Sequence, residues 1–329
     1  MADDKYKGLT ESMAQELAAY EYEYFREDLP VPFCGLQIYP AKVRDYERFA
    51  DATQCLTLDK NTTLDGIRMS NLAFLLEKTK DPKEGPHWAY RLGVLVEVCF
   101  HVKNGFKCPK CGKVYEYGSP EMKAISATSE GKVKELAMSQ PELLASEDGL
   151  NRLREAAAPT CPSDGEKIVP TVTSRKDEAG KDEVVIDGHV ITAKDFDRLR
   201  QIILFQNMPE YRDESWIDPN LKKDREERMR MERQKNNAHA SIEEKVVCLS
   251  IWTHWSFAEI YDMPIRKFTM ALSRVDDLLD YMIMKNSIMS GFREAPKGFS
   301  LKHWIYQPEE DMFGGGYKSL TEATTTRIK

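Results

Sequence analysis

The stretch Phe106-Lys107-Cys108-Pro109-Lys110-Cys111-Gly112 constrains this chain most, because Thr160-Cys161-Pro162-Ser163-Asp164-Gly165 answers it about fifty residues later. Each reads as a knuckle, a tight turn that presents side chains at i and i+3 to one metal ion. Two Cys-Pro-led turns followed by glycine are a more specific signal than a lone Cys-x-x-Cys, which a redox pair also produces. Zinc takes four ligands in a tetrahedron, and thiolates at this spacing reach it without straining the turn. The candidate ligands are Cys108, Cys111, Cys161 and Asp164; the last is a harder oxygen donor standing where a ribbon carries its fourth cysteine.

Other arrangements stay open. The fourth donor is Asp164, or His101 or His189 from outside the turns; or the ribbon has lost its metal; or Cys108 and Cys111 form a redox dithiol. No thioredoxin-like strand and helix flank the Cys-x-x-Cys, which disfavours the dithiol. A catalytic zinc needs an open position and a nearby general base, so a thiolate-rich site of this kind implies structural Zn2+.

With 329 residues, 41% hydrophobic and 31% charged, the chain can bury a sizeable core as two domains or one elaborated domain. No apolar run approaches the ~20 residues that span a bilayer, and Met1-Ala2-Asp3-Asp4 opens on acid, so an intracellular protein without membrane association is expected. Cys34, Cys55, Cys99 and Cys248 sit singly among apolar neighbours, as buried reduced thiols do, and disulfides are not expected. A net charge of −7 argues against a generally basic nucleic-acid surface and leaves room only for a local basic patch.

The fold class expected is α+β: a mainly helical body with short strands and an inserted zinc-ribbon-like module. Residues 1–100 make the N-terminal α+β part of the body, 101–187 the insertion, 188–295 the C-terminal helical part and 296–329 an extended arm. The insertion follows from a change to Ala- and Glu-rich composition, with a helix over Leu143–Ala158, between two knuckles that close its base.

In the first part, Ser12 and Gln15 are spaced as a capping box for a helix from Thr10 to Phe25 with Met13, Leu17 and Tyr20 on one face. Alternating Tyr20, Tyr22 and Tyr24 allow a strand instead. Leu29-Pro30-Val31-Pro32 forces an extended entry to a strand over Gly35–Pro40, and a helix follows through Val43, Tyr46, Phe49 and Ala50. Ser70 caps a helix carrying Leu72, Leu75 and Leu76; Trp88 to Phe100 is a helix or a buried strand.

In the second part, Asp187-Gly188 between β-branched runs predicts a hairpin over Glu183–Ile191. Thr192 and Asp195 cap a helix from Ala193 to Gln206 with Phe196, Leu199, Ile202 and Ile203 inward. Residues 221–237 read as a solvated, charge-mixed helix. Ser241 begins a helix with Ile242, Val246, Leu249 and Trp252 inward, Ser256–Glu259 is a capping box, and Pro264 starts a long helix along Ile265, Phe268, Leu272, Val275, Leu279 and Met282. That pair resembles a helix-turn-helix, but Asp276, Asp277 and Asp280 answer Arg266, Lys267 and Arg274, which disfavours DNA reading. Met282, Met284 and Met289 are core filler or an adaptable surface. The arm carries Trp304, Tyr306 and Phe313, which must pack on the body or on a partner.

Catalytic signatures are lacking: there is no Gly-x-Ser-x-Gly, His-Glu-x-x-His or strand-led Gly-x-Gly-x-x-Gly. In Phe313–Ser319, Tyr317 stands where a phosphate loop needs glycine, and His254 between Trp252 and Trp255 reads as a core or interface residue. An enzyme is therefore not expected, nor a small-molecule substrate.

At Leu29-Pro-Val-Pro-Phe-Cys-Gly-Leu-Gln-Ile-Tyr-Pro, at Leu199-Arg-Gln-Ile-Ile-Leu-Phe-Gln-Asn and at Phe257-Ala-Glu-Ile-Tyr-Asp-Met-Pro-Ile-Arg-Lys-Phe, the chain resembles tail-assembly chaperones and baseplate-associated proteins of tailed bacteriophages. The resemblance covers the first hundred residues or so and the last hundred and forty or so, outside the ribbon insertion. It implies a non-enzymatic protein that binds other tail or baseplate proteins, in the host cytoplasm during assembly or within the virion tail. The alternative from a different class is a zinc-ribbon nucleic-acid-associated factor.

Overall fold

Thr10 opens the first helix, because its backbone is extended and its hydroxyl accepts from the Met13 amide at 3.4 Å. The expected Ser12–Gln15 box does not form; Gln15 reaches Glu11 instead. The computed structural model describes residues 6, 9–60, 64–140, 147–209 and 240–290, together with 211, 213, 221, 224, 227, 228 and 231. In it α1 (Glu11–Tyr20) runs on through one wide π turn, Glu21–Phe25, so the alternating tyrosines are helical.

β1 (Val31–Phe33) and β2 (Leu36–Ile38) pair antiparallel through Cys34 and Gly35, both at positive φ (47° and 80°), the backbone of a primed hairpin turn. Only the second strand was expected. Cys34 in a left-handed conformation is a poor turn former by type, which hid the first. A 3-10 turn at Val43–Asp45 leads into α2 (Tyr46–Ala52). Two further helices follow, α3 (Leu64–Arg68) and α4 (Asn71–Thr79), the latter capped by the Ser70 hydroxyl 3.1 Å from the Ala73 amide. α5 (Gly85–Phe100) settles the Trp88–Phe100 stretch as helix and ends at His101, at φ 55°.

β3 (Gly105–Lys107) and β4 (Val114–Glu116) form a hairpin, followed by α6 (Pro120–Ser139), α7 (Glu147–Ala157) and β5 (Val169–Pro170), which pairs with β3. α6 was not expected. Its start was legible all the same, in Ser119, whose hydroxyl accepts from the Met122 amide, and in Pro120 in the first turn. β6 (Val172–Lys176), β7 (Asp182–Ile186) and β8 (His189–Ile191) make a second three-stranded sheet. Asp187 and Gly188 turn between β7 and β8 at φ 45° and 88°, as the sequence demanded.

α8 (Ala193–Asn207) is the centre of the body. Thr192 and Asp195 make a full capping box, and Phe196, Leu199, Ile202 and Ile203 are buried as expected. Burial then spreads round the whole last turn to Gln206 and Asn207. There Asn207 Oδ1 accepts from the Ala41 amide at 2.7 Å while its Nδ2 donates to the Ile203 carbonyl at 2.9 Å. Arg266, 8% exposed, donates to the Phe205 carbonyl at 3.0 Å and to Glu21 at 2.6 Å, and Tyr6 donates to the other Glu21 oxygen at 2.7 Å. A buried charge is tolerated there because it is paired and hydrogen-bonded.

α9 (Ile242–Thr253), α10 (Phe257–Asp262) and α11 (Ile265–Met289) close the described chain, α9 and α10 with the full capping boxes Ser241–Glu244 and Ser256–Glu259. Three buried clusters result among the described residues. The main one joins α1, β1, β2, α2, α4, α5, α8 and the sheet residues Val184, Ile186 and Ile191. A second surrounds Cys108 and Cys161, and a third joins Val43 to Val246, Leu249, Ile260 and Phe268.

Several expected placements are corrected. Trp252 is 45% exposed, because Ile242, Val246 and Leu249 already fill the inner face of α9. His254 is an exposed left-handed cap at φ 60° rather than a core residue. Cys55 and Cys99 are buried, whereas Cys34 and Cys248 are exposed. Along α11, Leu272, Val275 and Leu279 are only half-buried and Met282 is exposed. In 221–237 the described residues Leu221, Asp224, Glu227, Arg228 and Met231 are helical and exposed. The arm with Trp304, Tyr306 and Phe313, and the Phe313–Ser319 stretch, lie outside the described residues. No helix among the described residues is long and apolar enough to cross a membrane.

Candidate metal centre

The two Cys-Pro turns fold alike. In the first, the Cys108 amide donates to the Lys113 carbonyl at 2.9 Å and the Gly112 amide to the Cys108 carbonyl at 3.0 Å. In the second, the Cys161 amide donates to the Glu166 carbonyl at 2.8 Å and the Gly165 amide to the Cys161 carbonyl at 2.9 Å. Gly112 and Gly165 each sit at φ 72°, a conformation that costs an L side chain roughly 1–2 kcal/mol and glycine nothing. The shared pattern aims the amides of Lys110 and Cys111 at the Cys108 sulfur, and those of Ser163 and Asp164 at the Cys161 sulfur.

One small sheet, ordered β4-β3-β5, brings the turns together. The first links β3 to β4, and the second runs through Ile168 into β5, whose Val169 and Pro170 lie opposite Lys107 and Phe106. Gly105 makes the close approach of β3 to β4 possible: a Cβ there would lie 2.2 Å from the Tyr115 carbonyl oxygen.

The outcome is a quartet of Cys108, Cys111, Cys161 and Asp164 whose ligand atoms all lie within 4.8 Å of one another, able to hold a metal ion. Cys111 and Cys161 sulfurs are 3.8 Å apart, and Asp164 Oδ2 is 3.3 Å from the Cys108 sulfur. A tetrahedron with metal–sulfur bonds of about 2.3 Å has sulfur–sulfur edges of about 3.8 Å, so these spacings suit four ligands on one ion. Cys108 and Cys161 are buried, Asp164 is half-buried and Cys111 is exposed.

The expected alternatives to Asp164 lie elsewhere. His101 caps α5 and stacks on Tyr39, ring centroids 4.0 Å apart, while His189 in β8 packs over Gly35. Neither belongs to the quartet.

Tyr115 is the functional neighbour that sequence reasoning missed. It is 2% exposed, and its hydroxyl lies 3.1 Å from the Cys161 sulfur. Its place one residue after Val114 in a β3-paired strand was the available signal, since Phe106 and Tyr115 lie opposite in register.

Electrostatics differ ligand by ligand within the quartet. Burial pushes the Cys108 thiol up to about 11, against the pull of the Cys111 and Lys110 amides. The hydrogen bond from Tyr115 lowers the Cys161 thiol, and the same bond, with burial, lifts the Tyr115 phenol to about 12. Burial opposes ionisation of Asp164, but the Glu166 amide and the facing thiols overcome it and hold the carboxyl below its ordinary range. Chemically this is a closed donor set of three sulfurs and one oxygen.

Set beside protein-family models, curated proteins and solved structures, the chain matches none of them.

Proposed function

We propose that the quartet holds a structural Zn2+ in a zinc-ribbon-like module inserted into the body, and that the protein acts without catalysis, by docking on other proteins. The setting proposed is assembly of a bacteriophage tail or baseplate, in the host cytoplasm or as a part of the virion tail. The observation that carries the metal reading is the convergence of two matched knuckles on one four-donor set whose ligand atoms lie within 4.8 Å of one another. Soft thiolates with one carboxylate favour zinc over hard cations, and a closed set leaves no position for substrate.

Docking is supported by the apolar surface of the C-terminal helices. Ile251, Trp252, Trp255 and Phe257 are 66%, 45%, 40% and 52% exposed around the turn between α9 and α10. Large aromatics in one exposed region are typical anchors of a protein interface. The charged recess of about 90 Å³ between Lys42, Asp45, Arg48, Glu97 and His101 is a weak candidate for a substrate site, since Arg48 already pairs with Glu97 at 2.8 Å and Asp45 at 3.2 Å.

Co-expression with bacteriophage tail and baseplate proteins tests the docking, and mass spectrometry of purified virions tests whether it stays in the particle. A stable complex that Trp252→Ala with Phe257→Ala weakens at least about tenfold supports the proposal. The absence of any such complex, with DNA binding that falls steeply with salt, would favour the nucleic-acid-associated factor instead.

A further inference from the structure

α11 is 25 residues long, about 37 Å, yet only its first turn is buried. Positions with alternating steps of three and four run Ile265, Phe268, Leu272, Val275, Leu279, Met282, Asn286 and Met289, all apolar but Asn286. This is the a/d seam of a heptad repeat, period 3.5, apolar along the helix except at Asn286. Burial falls away along that same seam. Ile265 and Phe268 are 4% and 1% exposed, Leu272, Val275 and Leu279 are half-buried, and Met282 and Met289 are 43% and 78% exposed. Ala271 and the seam residue Val275 still touch the third core cluster, and the seam opens to solvent from Met282 onward.

We propose that α11 pairs with the same helix of a second copy of this chain as a parallel two-stranded coiled coil along the seam from Leu272 to Met289. Two observations select a second copy over any other occupant. Asn286 occupies a seam position, where an apolar groove would strip its amide of water without replacing the hydrogen bonds; opposite its own equivalent, the two amides satisfy each other and fix register. The charges also avoid the seam. Arg274, Asp277 and Asp280 lie off it, Arg274 pairing with Asp277 at 3.1 Å. In a parallel pair the flanking positions bring Ala271 to Asp276, Leu278 to Ile283 and Lys285 to Ser290, so no like charges face each other and one flank adds an apolar contact.

The test uses the full chain. Light scattering after gel filtration at micromolar concentration should give twice the 37.8 kDa chain mass. Leu279→Asp should weaken association at least about tenfold, whereas Asn286→Ile, which removes the polar layer, should strengthen it or raise the copy number. Met282→Cys should form a disulfide between copies under mild oxidation, above the background of the parent chain. A monomer at these concentrations, or a double-mass species indifferent to Leu279→Asp, overturns the proposal. So does a Met282→Cys chain that gains no linked species; cover of the seam by residues 291–329 predicts that result, with a mass unaffected by Asn286→Ile. Should Leu279→Asp fail to fold, the Asn286→Ile and Met282→Cys outcomes decide alone.

Discussion

Single hydroxyls carry definite tasks in this protein. Tyr115 holds the Cys161 sulfur from outside the ligand set, and outer hydrogen bonds of this kind orient and tune a metal ligand. Tyr115→Phe should leave the fold intact and weaken metal retention roughly 10- to 100-fold, measured by competition with a chromophoric chelator. Unchanged retention would reduce Tyr115 to core packing. Tyr20 gives a pH prediction. Burial, with its hydrogen bond to Glu16 at 2.9 Å, raises the phenol from 10.0 to about 12. A raised pKa means that the folded state prefers the protonated form. The contribution is therefore fully present below about pH 10 and is lost as pH rises through about 12. The difference in melting temperature between the parent chain and Tyr20→Phe should be flat up to about pH 10 and shrink above it. A difference that stays constant to pH 12 would show that the phenol does not titrate with folding.

Among the elements, α8 shows where reading a sequence succeeds and where it stops. Its cap and its inward stripe were legible because Thr192, Asp195 and a 3.6-residue apolar period are local signals. The burial of Gln206 and Asn207 was not, since it depends on Ala41 and Ile38 arriving from more than a hundred and sixty residues away. The quartet was legible for the same local reason, two self-similar turns, while Tyr115 became visible only through cross-strand register. Trp252 and the outer seam of α11 were misplaced because periodicity marks an apolar face without saying what covers it. Asn207→Ala should lower stability by about 1–3 kcal/mol in urea melts, because it strands the buried Ala41 amide. A loss well under that would mean that the amide finds another partner. Gly105→Ala should pry β3 from β4, since the added methyl meets backbone that cannot step aside.

At the scale of the whole molecule, the cluster around Cys108, Tyr115, Cys161 and Ile168 is small and separate from the main core. Little apolar surface is buried there to order two knuckles and three short strands, so the ion proposed for the quartet would supply much of their stability. Chelation should speed amide hydrogen exchange in β3, β4, β5 and both turns while α5 and α8 keep their protection. Equal exchange with and without chelator would separate the module's stability from the metal. Beneath all of this lies the claim that two Cys-Pro turns converge to bind zinc. Its most direct test is elemental analysis of the chain purified under reducing conditions, alongside a Cys108→Ser, Cys161→Ser variant. One zinc per parent chain and none retained by the variant is the expected result; no stoichiometric zinc in the parent, or equal zinc in both, would contradict zinc binding at the two turns.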